Sequence, residues 1–96
     1  MRTEAGSELT EVVDGRVGAI RARGRLTGAG ADLLRGSVAA LHGLGHPRVV
    51  LDLRGLETID ADGLRELHRL QQEVRAAGRE LVLLDLTGAI GEPLTG

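Results

Sequence analysis

The stretch VVLDLRGLETIDADGL, residues 49–64, is the part of the sequence that best indicates the fold class. Its apolar beginning, Val49-Val50-Leu51, is typical of a central strand that is covered on both faces in an α/β sheet. Residues 55–59 read as a loop, and the acidic turn Asp60-Ala61-Asp62-Gly63 follows it. A helix over 63–77 is then predicted by inward-facing residues at helical spacing, namely Leu64, Leu67, Leu70 and Val74.

The segments on either side extend this unit to the element order β-β-α-β-α-β. Strands 9–13 and 16–22 are predicted to form a hairpin around Asp14-Gly15, the two-residue signal for a type I′ turn, and Val17 is a candidate for its inner face. A helix over 31–44, with Leu44 in its apolar stripe, leads to a strand over 48–53; the last strand covers 80–85. Helical crossovers join parallel neighbours. We therefore expect a small mixed sheet, an antiparallel hairpin followed by parallel crossovers, with amphipathic helices packed on it.

The length of the chain indicates one domain. Ninety-six residues suffice for a single core, which we place at about 9–85 within a domain spanning 1–96. In the tail, residues 86–96, glycines and a proline make a helix unfavourable.

Composition excludes several classes of function. The chain has no Phe, Tyr or Trp on which bases could stack, and its formal net charge of -2 does not attract phosphate backbones, so we expect no nucleic-acid partner. The absence of cysteine excludes disulfides, zinc–thiolate sites and a cysteine nucleophile. No apolar run is long enough to enter a bilayer and the N-terminus lacks a signal-peptide pattern, so a cytoplasmic location is expected.

No pattern in the sequence supplies catalytic chemistry. His42 and His46 have the spacing of a helical metal pair, but glycines and a proline end the helix there, and we expect both to be solvent-exposed. Gly28 and Gly30 lack the lysine of a phosphate-binding loop and are read as turn residues. We therefore expect no enzyme activity, no cofactor and no metal site.

The element order and the acidic turn resemble the STAS family, which includes bacterial anti-sigma factor antagonists. The hallmark of that family is an apolar strand ending in Asp-Leu, a loop, and Asp-Ser-Ser-Gly-Leu at a helix start; this chain has Asp52-Leu53 and Asp60-Ala61-Asp62-Gly63-Leu64. Gly24-Arg25-Leu26-Thr27 is similar to the Gly-x-Leu segment after the second strand of the family. The resemblance covers about residues 9–85.

The resemblance implies a switch position at Asp62. In antagonists of the family the second Ser of the turn is phosphorylated by the partner, a kinase that is also the anti-sigma factor, and only the unphosphorylated form binds it. Asp62 occupies that position and cannot be phosphorylated by a serine kinase; Thr58 and Ser37 lie elsewhere. Its carboxylate carries about half the charge of a phosphate, so it is either a fixed mimic of the phosphorylated form or an ordinary contact residue. Capping is a further reading, because either Asp60 or Asp62 suits the N-cap of the helix.

The resemblance thus implies a non-catalytic regulatory protein-binding module, an anti-sigma factor antagonist that binds a kinase-type anti-sigma factor. One alternative is an accessory subunit of a lipid-transport ATPase. Another is a structural member of a larger STAS assembly, in which apolar surface left uncovered by the short tail favours a homo-oligomer. The expected partner-binding residues are Asp60, Ala61, Asp62, Gly63, Leu64, Arg65, Arg69, Gly24, Arg25 and Thr27.

Overall fold

The computed structural model describes residues 9–84, which form one four-stranded sheet and two helices. The elements in chain order are β1 (Leu9–Asp14), β2 (Ala19–Leu26), α1 (Gly28–Gly43), β3 (Arg48–Ile59), α2 (Ala61–Ala76) and β4 (Glu80–Leu84). The strands lie side by side in the order β1-β2-β3-β4; β1 is antiparallel to β2, and the other neighbours are parallel. The predicted mixed α/β sheet and its element order are confirmed, while the predicted tail, 86–96, lies outside the described residues.

Both helices lie on the same face of this sheet. Along β3, Val49, Leu51 and Leu53 are buried, whereas Val50 and Asp52 between them are only partly covered. The buried side chains of all four strands meet those of the helices in one aliphatic core. The prediction of a strand covered on both faces was wrong for the described residues, because α1 and α2 pack against each other over one face.

The connection between β1 and β2 is longer than predicted. Asp14 pairs with Ala19, so four residues, 15–18, form the loop instead of a two-residue type I′ turn. The positive φ of 75° falls at Gly18, whose N–H donates to the carbonyl of Asp14 at 3.1 Å. Val17 lies at the tip of this loop, 60% exposed, and not on the inner face.

Both central strands also run farther than the sequence indicates. β2 extends through Gly24 to Leu26, and β3 includes residues 55–59, which the sequence pattern favoured as a loop. Two register shifts between these strands, Arg21/Arg23 and Gly24/Arg25, accommodate the irregular segment. As a result α1 begins three residues and α2 two residues earlier than expected, each directly after the strand that precedes it.

The end of α1 also departs from expectation. Leu44 is the C-cap residue and is exposed, so the apolar stripe of the helix stops at Leu41. His42 and His46 are part-buried and not solvent-exposed. His46 Nε2 lies 2.6 Å from the carbonyl oxygen of Gly15 and thereby ties this loop to the β1–β2 loop.

Candidate functional site

The N-termini of both helices meet at one edge of the sheet. β2 and β3 are parallel, so their carboxyl ends lie at the same edge, and each is followed at once by a helix. Thr27 is the N-cap of α1, and its side chain accepts a hydrogen bond from the Gly30 amide at 3.2 Å. Asp60 is the N-cap of α2 and accepts from the Gly63 amide at 2.7 Å. Asp60, and not Asp62, is therefore the N-cap residue of α2.

The two helix N-termini are joined through the end of β2. The Asp60 amide donates to the Leu26 carbonyl oxygen at 3.1 Å. A methyl group added at Gly63 would lie 2.8 Å from that same oxygen, and one added at Gly28 would lie 3.4 Å from Asp62 Cβ. Glycine at 63 thus permits the first turn of α2 to approach the β2–α1 junction, which places Asp62 beside the start of α1.

Asp62 projects from this edge into solvent. Its side chain is 70% exposed, and its Oδ1 accepts a hydrogen bond from Arg65 Nη1 at 3.0 Å. An exposed pair of this kind contributes at most about 1 kcal/mol, so a partner could exchange Arg65 for a group of its own at little cost. The carboxylate also lies in the first turn of α2, where the helix dipole stabilises negative charge.

Of the other predicted site residues on α2, three lie beside Asp62 in the first turn and one lies farther along the helix. Ala61 is exposed beside Asp62, Gly63 is buried, and Leu64 is part-buried. Arg69 lies one helical turn beyond Arg65 and contacts the Glu66 carboxylate at 3.9 Å, so it belongs to the outer side of α2.

Gly24 and Arg25 belong to β2 and not to a loop at the edge. Gly24 has a positive φ of 97°, and Arg25 is exposed next to buried Leu26, which places its side chain on the face of the sheet opposite α1 and α2. Gly28 and the Leu26 carbonyl were missed as parts of the site. The signal for Gly28 was its position directly after Thr27, a residue type favoured at N-caps.

Neither Ser37 nor Thr58 brings a hydroxyl group to the first turn of α2. Ser37 lies within α1, and its hydroxyl donates to Glu11 Oε1 of β1 at 2.8 Å. Glu11 is only 6% exposed, so this hydrogen bond is part of the packing of α1 on β1. Thr58 is exposed on β3, in register with Arg25, before the cap of α2. The α2 N-terminus therefore presents a fixed carboxylate and no hydroxyl.

A depression lies between the C-terminal halves of the helices, away from this edge. Its volume is about 340 Å³, and its lining includes Val38, His42, Val74 and Arg79. His42 Nε2 is buried there and has no hydrogen-bond partner among the described residues. Burial, and secondarily the charge of Arg79, lower the pKa of His42, so the imidazole favours its neutral form.

Two further classes of site were searched among residues 9–84. No group of three or more His, Cys, Asp or Glu side chains there is arranged to hold a metal ion. In the same part of the chain, neither helix has the length and apolar character required to cross a membrane.

Comparison with known proteins places this geometry in a family. No curated protein sequence matches the chain. A solved structure described as "Crystal Structure Analysis of Mglu in its native form" superposes with a TM-score of 0.52 at 18% identity, over 78% of this chain, which shows a shared fold alone. The chain spans only 23% of that protein. The family model described as "Mlab, STAS domain" matches residues 9–95. The chain therefore belongs to the STAS domain family, whose domains are generally non-catalytic protein-interaction modules.

Proposed function

We propose that this chain is a regulatory module of the anti-sigma factor antagonist type, which binds a kinase-type anti-sigma factor at the edge formed by the N-termini of α1 and α2. The observation that carries the proposal is the placement of Asp62. Asp60 caps α2, so the charge of Asp62 is not needed to start the helix, and its side chain stays 70% exposed. A charged group that is exposed and structurally dispensable at a helix N-terminus is available for recognition.

The contact surface consists of the first turn of α2 and the start of α1. Asp62, Ala61 and Arg65 are exposed there, and Thr27 lies across the junction. Asp62 already forms an ion pair with Arg65 in the free protein, so a basic group of the partner would replace an existing ion pair instead of creating the first one. This exchange favours discrimination between partners more than it adds affinity.

Serine phosphorylation cannot change the charge at Asp62. A phosphate at the same place would carry about -1.5 to -2 at neutral pH, whereas the carboxylate carries a single negative charge, part of which Arg65 compensates. We therefore propose that the module works without a phosphorylation cycle of its own at this position.

The missing hydroxyl also favours a second candidate. A partner that binds the same edge and never phosphorylates it has no need of a serine there, which suits an accessory subunit of a lipid-transport ATPase. In that case the edge would contact the nucleotide-binding subunit of the transporter.

The test is affinity capture from the native lysate with four forms of the protein, followed by mass spectrometry. Wild type is compared with Asp62→Lys, with Asp62→Ser, and with Gln72→Lys as a control, because Gln72 is exposed on α2 well away from the edge. We expect Asp62→Lys to lose the partner that wild type and Gln72→Lys retain.

The identity of the captured protein decides between the candidates. A kinase-like anti-sigma factor retained by wild type supports the antagonist. Its capture by Asp62→Ser alone would contradict the binding proposed for wild type and would make Asp62 a fixed mimic of the phosphorylated form. A transporter ATPase supports the accessory subunit. Equal capture by wild type and Asp62→Lys would remove the edge from consideration.

A further inference from the structure

The face of the sheet opposite α1 and α2 carries a row of arginines along β2. Ile20 and Ala22 of β2 are fully buried under the helices, and Arg21, Arg23 and Arg25 alternate with buried or part-buried residues and are exposed on the other side. Successive residues on one face of a strand are about 6.6 Å apart. The three arginine side chains therefore leave β2 on one face, and their Cα atoms follow one another at this spacing.

The neighbouring strand β3 contacts this row at Arg23 and adds Arg54 to it. A methyl group added at Gly55, which pairs with Arg23, would lie 3.0 Å from Arg23 Cγ and 3.6 Å from its Nε. The arginine side chain thus lies across the backbone of β3, where glycine leaves room for it. Arg54 joins the row from β3 and holds both oxygens of Asp52 at 2.9 Å.

The charge of this face differs in sign from that of the whole chain. The strands place five arginines on this face, at 21, 23, 25, 48 and 54, together with the carboxylates of Asp14, Asp52 and Glu80, so the formal charge is about +2. The complete chain carries -2. All of its basic residues other than histidine are arginine, the side chain whose planar fork binds carboxylates through two parallel hydrogen bonds.

Apolar side chains border the arginines on both outer strands. Val12 on β1 pairs with Arg21 and is 55% exposed; Leu84 on β4 pairs with Asp52 and is 37% exposed. Arginine is one of the residue types enriched at protein interfaces, and these two side chains add exposed apolar area beside it.

We propose that this face binds an extended acidic segment of a partner protein. Carboxylates on alternate residues of an extended chain also repeat at about 6.6 Å, so they match the arginine row in spacing and in charge. A second copy of the same face would bring arginine against arginine. This surface is separate from the helix edge, so it stands or falls independently of the function proposed above.

The test uses a fluorescein-labelled peptide of alternating Glu and Ser, with binding followed by fluorescence anisotropy. A Gln-Ser peptide of the same length is the ligand control. Arg23→Gln is the test variant, and Arg75→Gln, which removes an exposed arginine from the last turn of α2, is the matched control. Far-UV circular dichroism establishes that both variants are folded.

We expect saturable binding of the Glu-Ser peptide that falls about three- to tenfold in Arg23→Gln and less than about twofold in Arg75→Gln. Binding should weaken as salt is added, and the Gln-Ser peptide should not bind. Equal losses in the two variants, or no saturable binding to wild type, would overturn the proposal. So would tighter binding to phosphatidylglycerol–phosphatidylcholine vesicles or to a single-stranded oligonucleotide than to the Glu-Ser peptide.

Discussion

Substitution of Gly63 by alanine should destabilise the protein, although alanine is the better helix former. At an ordinary helix position the change would gain about 1 kcal/mol. Here the new methyl group would lie 2.8 Å from the Leu26 carbonyl oxygen, a backbone atom that cannot turn away as a side chain would. Such overpacking costs about 1–3 kcal/mol. Lengthening the hydrogen bond from the Asp60 N–H to that oxygen costs about 1 kcal/mol more. The expected net loss is about 1–3 kcal/mol.

The measurement is urea denaturation followed by far-UV circular dichroism, since the chain has no aromatic residue to report by fluorescence. Gly36→Ala is the control, because Gly36 lies within α1 with nothing within 4 Å of the added methyl group. That variant should gain about 0.5–1 kcal/mol. If Gly63→Ala proved as stable as Gly36→Ala, the close approach of α2 to the β2–α1 junction would be refuted.

Two further predictions concern aspartates, two at the start of α2 and one within β3. Asp60→Ala should lower the free energy of unfolding by about 1 kcal/mol through loss of the N-cap, whereas Asp62→Ala should change it by less than about 0.5; the reverse order in urea titrations would contradict the cap assignment. The hydrogen bond from Arg54 lowers the pKa of Asp52 from 3.8 to about 2. The ionised carboxylate therefore stabilises the folded state at pH values above the pKa of Asp52 in the unfolded chain. That stabilisation should disappear as the pH falls from about 4 to 2, so Asp52→Asn should lose less stability than wild type over this range; parallel pH profiles would refute the role of the pair.

The family resemblance and the element order were readable from residues 49–64 and the segments on either side because the signals there are local. Strands are recognised by alternating or continuous apolar residues, and helices by apolar residues three or four positions apart, such as Leu67, Leu70 and Val74. Those three side chains are buried as predicted. The position of Asp62 at the start of the second helix followed from the same stretch.

The boundaries of the elements were decided by contacts distant in sequence. Residues 55–59 contain Gly55 and Glu57 and resemble a loop, yet they continue β3 because β2 lies beside them and supplies hydrogen-bond partners. The hairpin loop lengthened for a similar reason, since the register that buries Ile20 pairs Asp14 with Ala19 and leaves four residues to connect them.

The sequence by itself thus determined the order and type of the elements, and it placed two aspartates at the start of α2. Only the tertiary structure decided which of them caps the helix, because the Asp60 amide is held by the Leu26 carbonyl of a different strand and thereby sets where the helix begins. The arginine row was likewise decided by tertiary structure. Alternation puts Arg21 and Arg23 on one face of β2, but only the packing of both helices on the opposite face leaves that row exposed.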